Sequence, residues 1–432
     1  MAFPPEPELT TPTLDVVLTP PGGGHLGSPL LEVDGVSMRE QHNQLGAGTV
    51  TLPWNHADLA VPEYGGWATF IVDGTPAWTM RYRRESIVVS KEGPSGRGLK
   101  LSGRSHLTEW NRAIVYAENG TGRPYGAQRH LNFASKHYDT STMTASIYPT
   151  LPGGSAVADI FGRYGPPIGW PDYLAGWTWS RFADGSLNMP VGTCYARRSF
   201  TLSSDLILAI FCAADDGFEL WLDGVLLMKG DDDPGNSWEH AYERLIRASA
   251  GPHVVAAKVE NYTRPFAILN FAGWACTIFG VTHTGEDWGA DDFVLHTGLM
   301  PGGVNDGWLW HDYPANPPGF TPGRVVRVLL EEAQARGALT GWTLDFTDTV
   351  DSNGEAWSTS EEHVFRVGMT MLEVVLQLAQ AHVDFAPTPN ARVLRMWNKG
   401  TRGVATGFDL NPFQSGSPVV NLSSLSFTEG EV

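Results

Sequence analysis

The chain has 432 residues, enough for about two to four domains, and it is rich in Gly (49), Pro (30) and Trp (16). Its formal net charge of −18 argues against sequence-specific binding or wrapping of nucleic acid and against adhesion to anionic lipid, because both need clustered Lys and Arg. Cys194, Cys212 and Cys276 form no CxxC pair, so we expect no structural zinc site.

The three cysteines are expected to behave as small buried hydrophobes, and a disulfide between two of them is left open for a particle outside the cell. The N-terminus, MAFPPEPELTTPTLDVVLTPP, lacks the basic and apolar regions of an export signal. No stretch reaches about 18 apolar residues, so no transmembrane segment is predicted.

The first segment, residues 1–143, shows strand-like runs separated by Gly or Pro. These runs are LDVVLTP, LEVDGVSM, AGTVTLP, WATFIVDG and ESIVVSK. Alternation of apolar and polar residues within them is typical of half-buried strands. A stretch containing Leu107, Trp110 and Ile114 predicts one helix, so the segment is interpreted as a small β-barrel or sandwich with a helix.

The second segment, residues 144–284, begins with Gly- and Pro-rich loops and continues with closely spaced strand patterns. The patterns are CYARRSFTL, LILAIFCAA, GFELWLDGVLL, HVVAAKVEN, AILNFAGW and CTIFGVTH. Asp223-Gly224 between apolar runs indicates a tight hairpin turn. Because Phe218, Leu220 and Leu222 alternate with Trp221, we predict that they face the core of a jelly roll and that Trp221 lies on its outer face.

The third segment, residues 285–432, changes to a helical period. Residues 324–333 and 370–379 predict helices, and Thr370 followed by Glu373 is a capping-box signature. Two strands joined by a Pro-Asn turn follow, in VDFAPT and ARVLRMWNKG. This part is therefore predicted to be α+β.

Four stretches resemble minor tail proteins of siphophages that infect actinobacteria, of the tail-tip or hub type. They are LEVDGVSMREQHNQLGAGTVTLPWNHAD, RHLNFASKHYDTSTM leading to IGWPDYLAGWTW, DDGFELWLDG, and FRVGMTMLEVVLQLAQAHVDFAPTPNARVLRMWNKGTRG. The resemblance implies N-terminal and C-terminal hub-like domains with the jelly roll inserted between them. The expected fold class is mainly β and multi-domain, with β-barrel or sandwich hub domains, the inserted jelly roll and a C-terminal α+β part.

The middle segment separately resembles galactose-binding-like jelly rolls. The matching residues are Trp177–Trp179, Ala196–Phe200, Ala214–Gly217, Leu220–Gly224 and Gly251–Ala256. This resemblance implies two candidate sites. Trp221, Trp238 and Asp223 are candidate carbohydrate-binding residues, since sugar faces pack on aromatic rings. Asp215 and Asp216 are candidate calcium ligands, although turn formation is the plainer explanation of such aspartates.

We find no GxSxG, Walker A, dinucleotide-binding or HExxH motif, and we expect no enzymatic activity and no cofactor other than calcium. The resemblance implies a virion protein made in the host cytoplasm and located at the tail tip. It implies as partners further copies of the chain in a trimeric ring, the distal tail protein, the tape measure and other tail-tip proteins. A host-recognition module that binds cell-envelope glycan is the alternative function.

Overall fold

The computed structural model describes residues 14–19, 35–39, 43, 45–53, 66–72, 74–90, 98–118, 128–145, 191–230, 241–262, 273–281, 293–297, 307–311, 319–388 and 391–401. It contains several β-sheets and three large separate hydrophobic clusters, so the predicted mainly β, multi-domain fold class is confirmed. Each large cluster marks one structural unit, and the units are described in turn.

The N-terminal unit is a six-stranded antiparallel sheet in the order β1-β4-β5-β6-β3-β2. Its strands are β1 (Leu14–Thr19), β2 (Gly35–Arg39), β3 (Ala47–Pro53), β4 (Trp67–Val72), β5 (Thr75–Ser90) and β6 (Gly98–Ser105). One face buries a cluster that includes Val16, Val50, Phe70 and Leu101. The alternating patterns therefore predicted β1 to β4 and the second half of β5, because a strand with one buried face repeats every two residues, whereas β6 was not predicted.

The middle unit is a sandwich of a four-stranded sheet (β13-β10-β15-β16) and a six-stranded sheet (β12-β11-β14-β9-β17-β8). The strands are β8 (Thr144–Ala145), β9 (Gly192–Leu202), β10 (Leu206–Asp215), β11 (Gly217–Leu222), β12 (Val225–Gly230), β13 (Tyr242–Ala248), β14 (Gly251–Asn261), β15 (Gly273–Val281), β16 (Phe293–His296) and β17 (Leu309–His311). The two sheets enclose one apolar core. Strands β16 and β17 lie beyond residue 284, where the sequence analysis ended this segment, so the sandwich extends to His311.

The C-terminal α+β unit contains helices α1 (Pro322–Ala335) and α2 (Met371–Ala381). Strands β18 (Thr343–Leu344), β20 (Val383–Pro387) and β21 (Val393–Asn398) form its three-stranded sheet. In the described part of the chain, neither these helices nor any other is long and apolar enough to cross a membrane. Both helices predicted from the sequence, 324–333 and 370–379, are present, and each observed end lies within two residues of the predicted one.

Residues from the end of the first segment complete this α+β unit. Strand β7 (Gln128–Leu131) pairs with β19 (His363–Arg366), with Leu131 opposite His363. The 3-10 helix η1 (His106–Arg112) buries Leu107 and Trp110 in the same core as α1 and α2. A second 3-10 helix, η2 (Thr140–Thr142), precedes β8. The sandwich is therefore inserted between two stretches of chain that fold together.

The N-terminus of α2 offers a direct test of local stability. The Thr370 hydroxyl accepts a hydrogen bond from the Glu373 amide (3.2 Å), and the Glu373 carboxylate accepts one from the Thr370 amide (2.7 Å). Thr370→Ala removes the first of these bonds, and we expect it to lower the free energy of unfolding by about 1 kcal/mol in urea titrations. Thr370→Ser keeps the capping oxygen and should lose much less; an equal loss in both variants would contradict the capping explanation.

Candidate functional site

Trp221 lies on the outer face of the six-stranded sheet, as its position in β11 predicted. Phe218, Leu220 and Leu222 point into the core of the sandwich, whereas Trp221 belongs to a separate cluster on the other face. The residue is only 5% exposed. The rings of His130 and Phe133 lie edge-on to it, with centroid distances of 5.1 and 6.5 Å. A candidate sugar-binding ring is therefore covered by another part of the same chain.

The covering residues come from β7 and the loop after it, 128–138, together with Glu118. We call the contact between these residues and the outer face of the six-stranded sheet the joint. Tyr195 of β9 packs against Phe133 within it, at a centroid distance of 4.7 Å. The joint connects the inserted sandwich to the α+β unit, because β7 belongs to that unit.

Arg197 of β9 holds the loop of the joint. Its guanidinium donates hydrogen bonds to the carbonyl oxygens of Phe133 (2.6 Å), Ser135 (2.5 Å) and Lys136 (3.4 Å). The residue is 2% exposed. Burial lowers the pKa of Arg197 to about 10, which still leaves the group charged at neutral pH. A buried arginine of this kind fixes a loop because its planar fork offers five donors in a fixed geometry.

Asp223 and Gly224 form the predicted two-residue turn between β11 and β12. Leu222 pairs with Val225, and both turn residues have positive φ (48° and 74°), which is typical of a type I′ hairpin. The Asp223 carboxylate accepts hydrogen bonds from the Val254 amide (2.9 Å) and from His253 Nδ1 (2.6 Å), and Lys136 Nζ lies 3.4 Å away. The carboxylate is thus engaged by its own chain.

A buried ionic cluster lies beneath this turn. Arg129, 1% exposed, makes a 2.9 Å ion pair with Glu332 of α1 and lies 4.0 Å from Glu118. The Glu118 carboxylate accepts hydrogen bonds from the Ser135 hydroxyl (3.0 Å) and the Lys136 amide. Burial raises the pKa of Glu118, against the opposing effect of the Arg129 charge. Charged groups that lie about 200 positions apart in the sequence therefore meet beside the joint.

Several polar atoms of the joint have no hydrogen-bond partner among the residues that the structure describes. They are Glu118 Oε2, Arg129 Nε and Nη1, Arg197 Nε and Trp221 Nε1. Such atoms weaken the net stabilisation that buried charges give. The stability of the joint therefore depends on the hydrogen bonds and ion pairs that its charged side chains do form.

The candidate calcium ligands, Asp215 and Asp216, lie at the end of β10 and directly after it. Asp215 ends β10, and Asp216, 2% exposed, accepts a hydrogen bond from the Tyr262 amide (2.6 Å). Among the residues that the structure describes, no group of three or more His, Cys, Asp or Glu side chains could hold a metal ion. Calcium binding stays a prediction. Trp238 lies outside the described residues.

A second polar cluster, which sequence reasoning missed, ties the N-terminal sheet to the α+β unit. Glu109 of η1 accepts two hydrogen bonds from Arg392 (2.9 and 3.0 Å) and one from the Trp342 indole (2.9 Å). Trp67 of β4 stacks on His106 at 4.1 Å. Arg392 lies 283 positions from Glu109, so no local pattern could have revealed the contact.

His253 of β14, which is hydrogen-bonded to the turn residue Asp223, predicts a pH dependence. Burial alone would lower the pKa of His253, but hydrogen bonds with Asp223 and the Ser249 carbonyl outweigh it and raise the pKa. A raised histidine pKa stabilises the fold below the unfolded-state value, and this contribution is lost as pH rises through the folded-state value. We expect unfolding free energy, measured in urea from about pH 6 to about pH 8, to fall by an increment that His253→Gln abolishes. An unchanged pH profile in that variant would contradict the assignment.

No family model matches this chain, and no curated protein matches it significantly. Among solved structures, a Pleurotus ostreatus lectin in complex with GalNAc is 14% identical over 33% of this chain and 41% of the lectin, with a TM-score of 0.25. The α-L-rhamnosidase of Streptomyces avermitilis complexed with L-rhamnose is 14% identical over 58% of this chain and 18% of the enzyme, also at 0.25. The chain thus spans less than half of either protein, and TM-scores this low carry no argument about what it binds or does.

Proposed function

We propose that this chain is a structural minor tail protein of a long-tailed bacteriophage, part of the tail-tip or hub complex used in host attachment and genome delivery. The main support for a structural function is the joint. The sheet face that holds Trp221 and Arg197 is buried against the chain's own α+β unit. A face that binds sugar has to be reachable from solvent, whereas this one fixes the inserted sandwich in place.

The attribution to a phage tail rests on the sequence resemblance of the four stretches described above. The joint and the contacts of η1 with the N-terminal sheet support it, because hydrogen bonds from Arg197 to the Phe133 carbonyl and from Arg81 of β5 to Glu109 connect all three units. In a ring around the tail axis, the net charge of −18 would also keep passing DNA from adhering to the protein.

Immunogold electron microscopy of particles from the phage that encodes this chain tests the location. Antibody against the full chain is expected to label the end of the tail furthest from the head. Label on the head, or particles without label while the chain is detected only in the lysate, would overturn the proposal. Native mass spectrometry of the purified full chain tests the ring: we expect trimers, and a monomer or hexamer would contradict three-fold symmetry.

A second experiment separates the structural function from glycan recognition. The full chain is titrated with purified host envelope glycan in a calorimeter, once with calcium and once with a chelator. The heat of binding is expected to be the same in the unchanged chain and in the variant that lacks the Trp221 indole. Trp221→Ala removes the indole, whereas Phe133→Ala disturbs the joint but keeps the Trp221 indole. Glycan binding that is lost only in Trp221→Ala would instead establish a lectin-like function.

A further inference from the structure

Two of the three cysteines face each other in the core of the sandwich. Cys212 of β10 and Cys276 of β15 are register partners on adjacent antiparallel strands. Both side chains point into the core between the two sheets, and both residues are fully buried. Cross-strand partners on one face have Cβ atoms about 4.5–5.5 Å apart.

The backbone hydrogen bonds show which kind of pair this is. The Cys276 amide donates to the Thr297 hydroxyl (3.0 Å), and the Cys276 carbonyl accepts from the Thr297 amide (2.9 Å). Both groups of Cys276 thus point away from β10, because one residue directs its amide and carbonyl to the same neighbour in an antiparallel sheet. Cys212 and Cys276 are therefore a non-hydrogen-bonded pair, the kind whose side chains approach more closely.

The two thiols influence each other electrostatically. A hydrogen bond with Cys276 is among the causes, after burial, that raise the pKa of the Cys212 thiol. The Trp274 indole also donates a hydrogen bond to Cys212 Sγ (2.8 Å). Disulfides need Cα atoms about 4.4–6.8 Å apart. The Cα atoms of a non-hydrogen-bonded pair are typically about 4.5 Å apart, which falls within this range. Closing a bond here requires little movement of the backbone.

Cys194 serves as an internal comparison. It lies in the same core but on β9 of the opposite sheet, where its register partner is Val259. It therefore has no cysteine across the strand.

We propose that Cys212 and Cys276 form a cross-strand disulfide when the chain folds in an oxidising medium. With oxidised glutathione as the oxidant, one cysteine thiolate attacks a glutathione sulfur and releases the first glutathione thiolate. The second cysteine then attacks the mixed disulfide and releases the other. The two cysteine thiols become one disulfide, glutathione disulfide becomes two thiols, and the two protons pass to the released glutathione. The reaction occurs while the sheet is open, because both thiols are buried in the folded chain.

The test refolds the full chain from denaturant with oxidised or with reduced glutathione, alkylates the remaining thiols and maps peptides by mass spectrometry. We expect the oxidised sample to contain one disulfide, between Cys212 and Cys276, and an alkylated Cys194. Its Tm is expected to exceed that of the reduced sample by about 5–10 °C. Circular dichroism checks that both samples regain the same fold.

Alanine variants separate this bond from other effects of oxidation. Cys194→Ala should keep the gain in Tm, whereas Cys212→Ala should lose it. Three alkylated cysteines after oxidative refolding, or a bond that includes Cys194, would overturn the proposal.

Discussion

Replacing Gly224 with alanine is expected to lower the free energy of unfolding by about 3–4 kcal/mol. Gly224 has a φ of +74°, and a Cβ added there would collide with Glu118 Oε2 and lie 3.3 Å from the His130 carbonyl oxygen. The variant therefore strains the backbone and also displaces a buried carboxylate of the joint. Urea unfolding followed by tryptophan fluorescence measures the loss.

Gly74 provides a matched control. It follows an aspartate in the sequence, lies between β4 and β5, has a φ of +76°, and would place an added Cβ within 4 Å of none of the residues that the structure describes. Gly74→Ala should cost only the backbone term, about 1–2 kcal/mol. Equal losses in the two variants would show that the contact between Gly224 and Glu118 contributes nothing.

Replacing Arg197 with methionine is expected to cost about 3–5 kcal/mol, because the carbonyl oxygens of Phe133, Ser135 and Lys136 lose their hydrogen bonds from the guanidinium, and the first two of these bonds are buried. Methionine keeps much of the side-chain volume, so loss of packing is small. Hydrogen exchange read by mass spectrometry should show faster exchange in residues 132–138, and urea titration gives the free energy.

Arg244→Met is the control for that experiment. Arg244 is an exposed residue of β13, on the four-stranded sheet away from the joint, and its replacement should change stability by less than about 0.5 kcal/mol. Unaltered exchange in 132–138 after Arg197→Met would mean that the loop is held by its apolar contacts alone.

The sequence predicted what depends on local patterns. The capping box at Thr370 and the tight turn at Asp223-Gly224 are both present, because each is specified by residues within a few positions of one another. The alternation in β11 likewise placed Trp221 on the outer face. These features follow from strand periodicity and backbone preference alone.

What covers Trp221 could not be predicted, because the contacts join distant segments. Arg129 and Glu332 are 203 positions apart, and β7 finds its partner strand only after the whole sandwich has intervened. Exposure of an outer-face tryptophan is therefore a question about the neighbouring unit. The strands β16 and β17 escaped detection for a different reason, since three or four residues show too little periodicity.

The entry and exit strands of the sandwich lie side by side, with Ala145 of β8 opposite Leu309 of β17. Neighbouring strands are about 4.8 Å apart, so the two points where the chain enters and leaves the sandwich are as close together as the ends of a tight loop. Its entropic cost to that unit depends on the separation of the two ends and very little on what lies between them. An unrelated domain with adjacent ends could occupy the same position at a similar entropic cost, but it would also have to cover the residues that the joint now buries, among them Arg129 and Phe133.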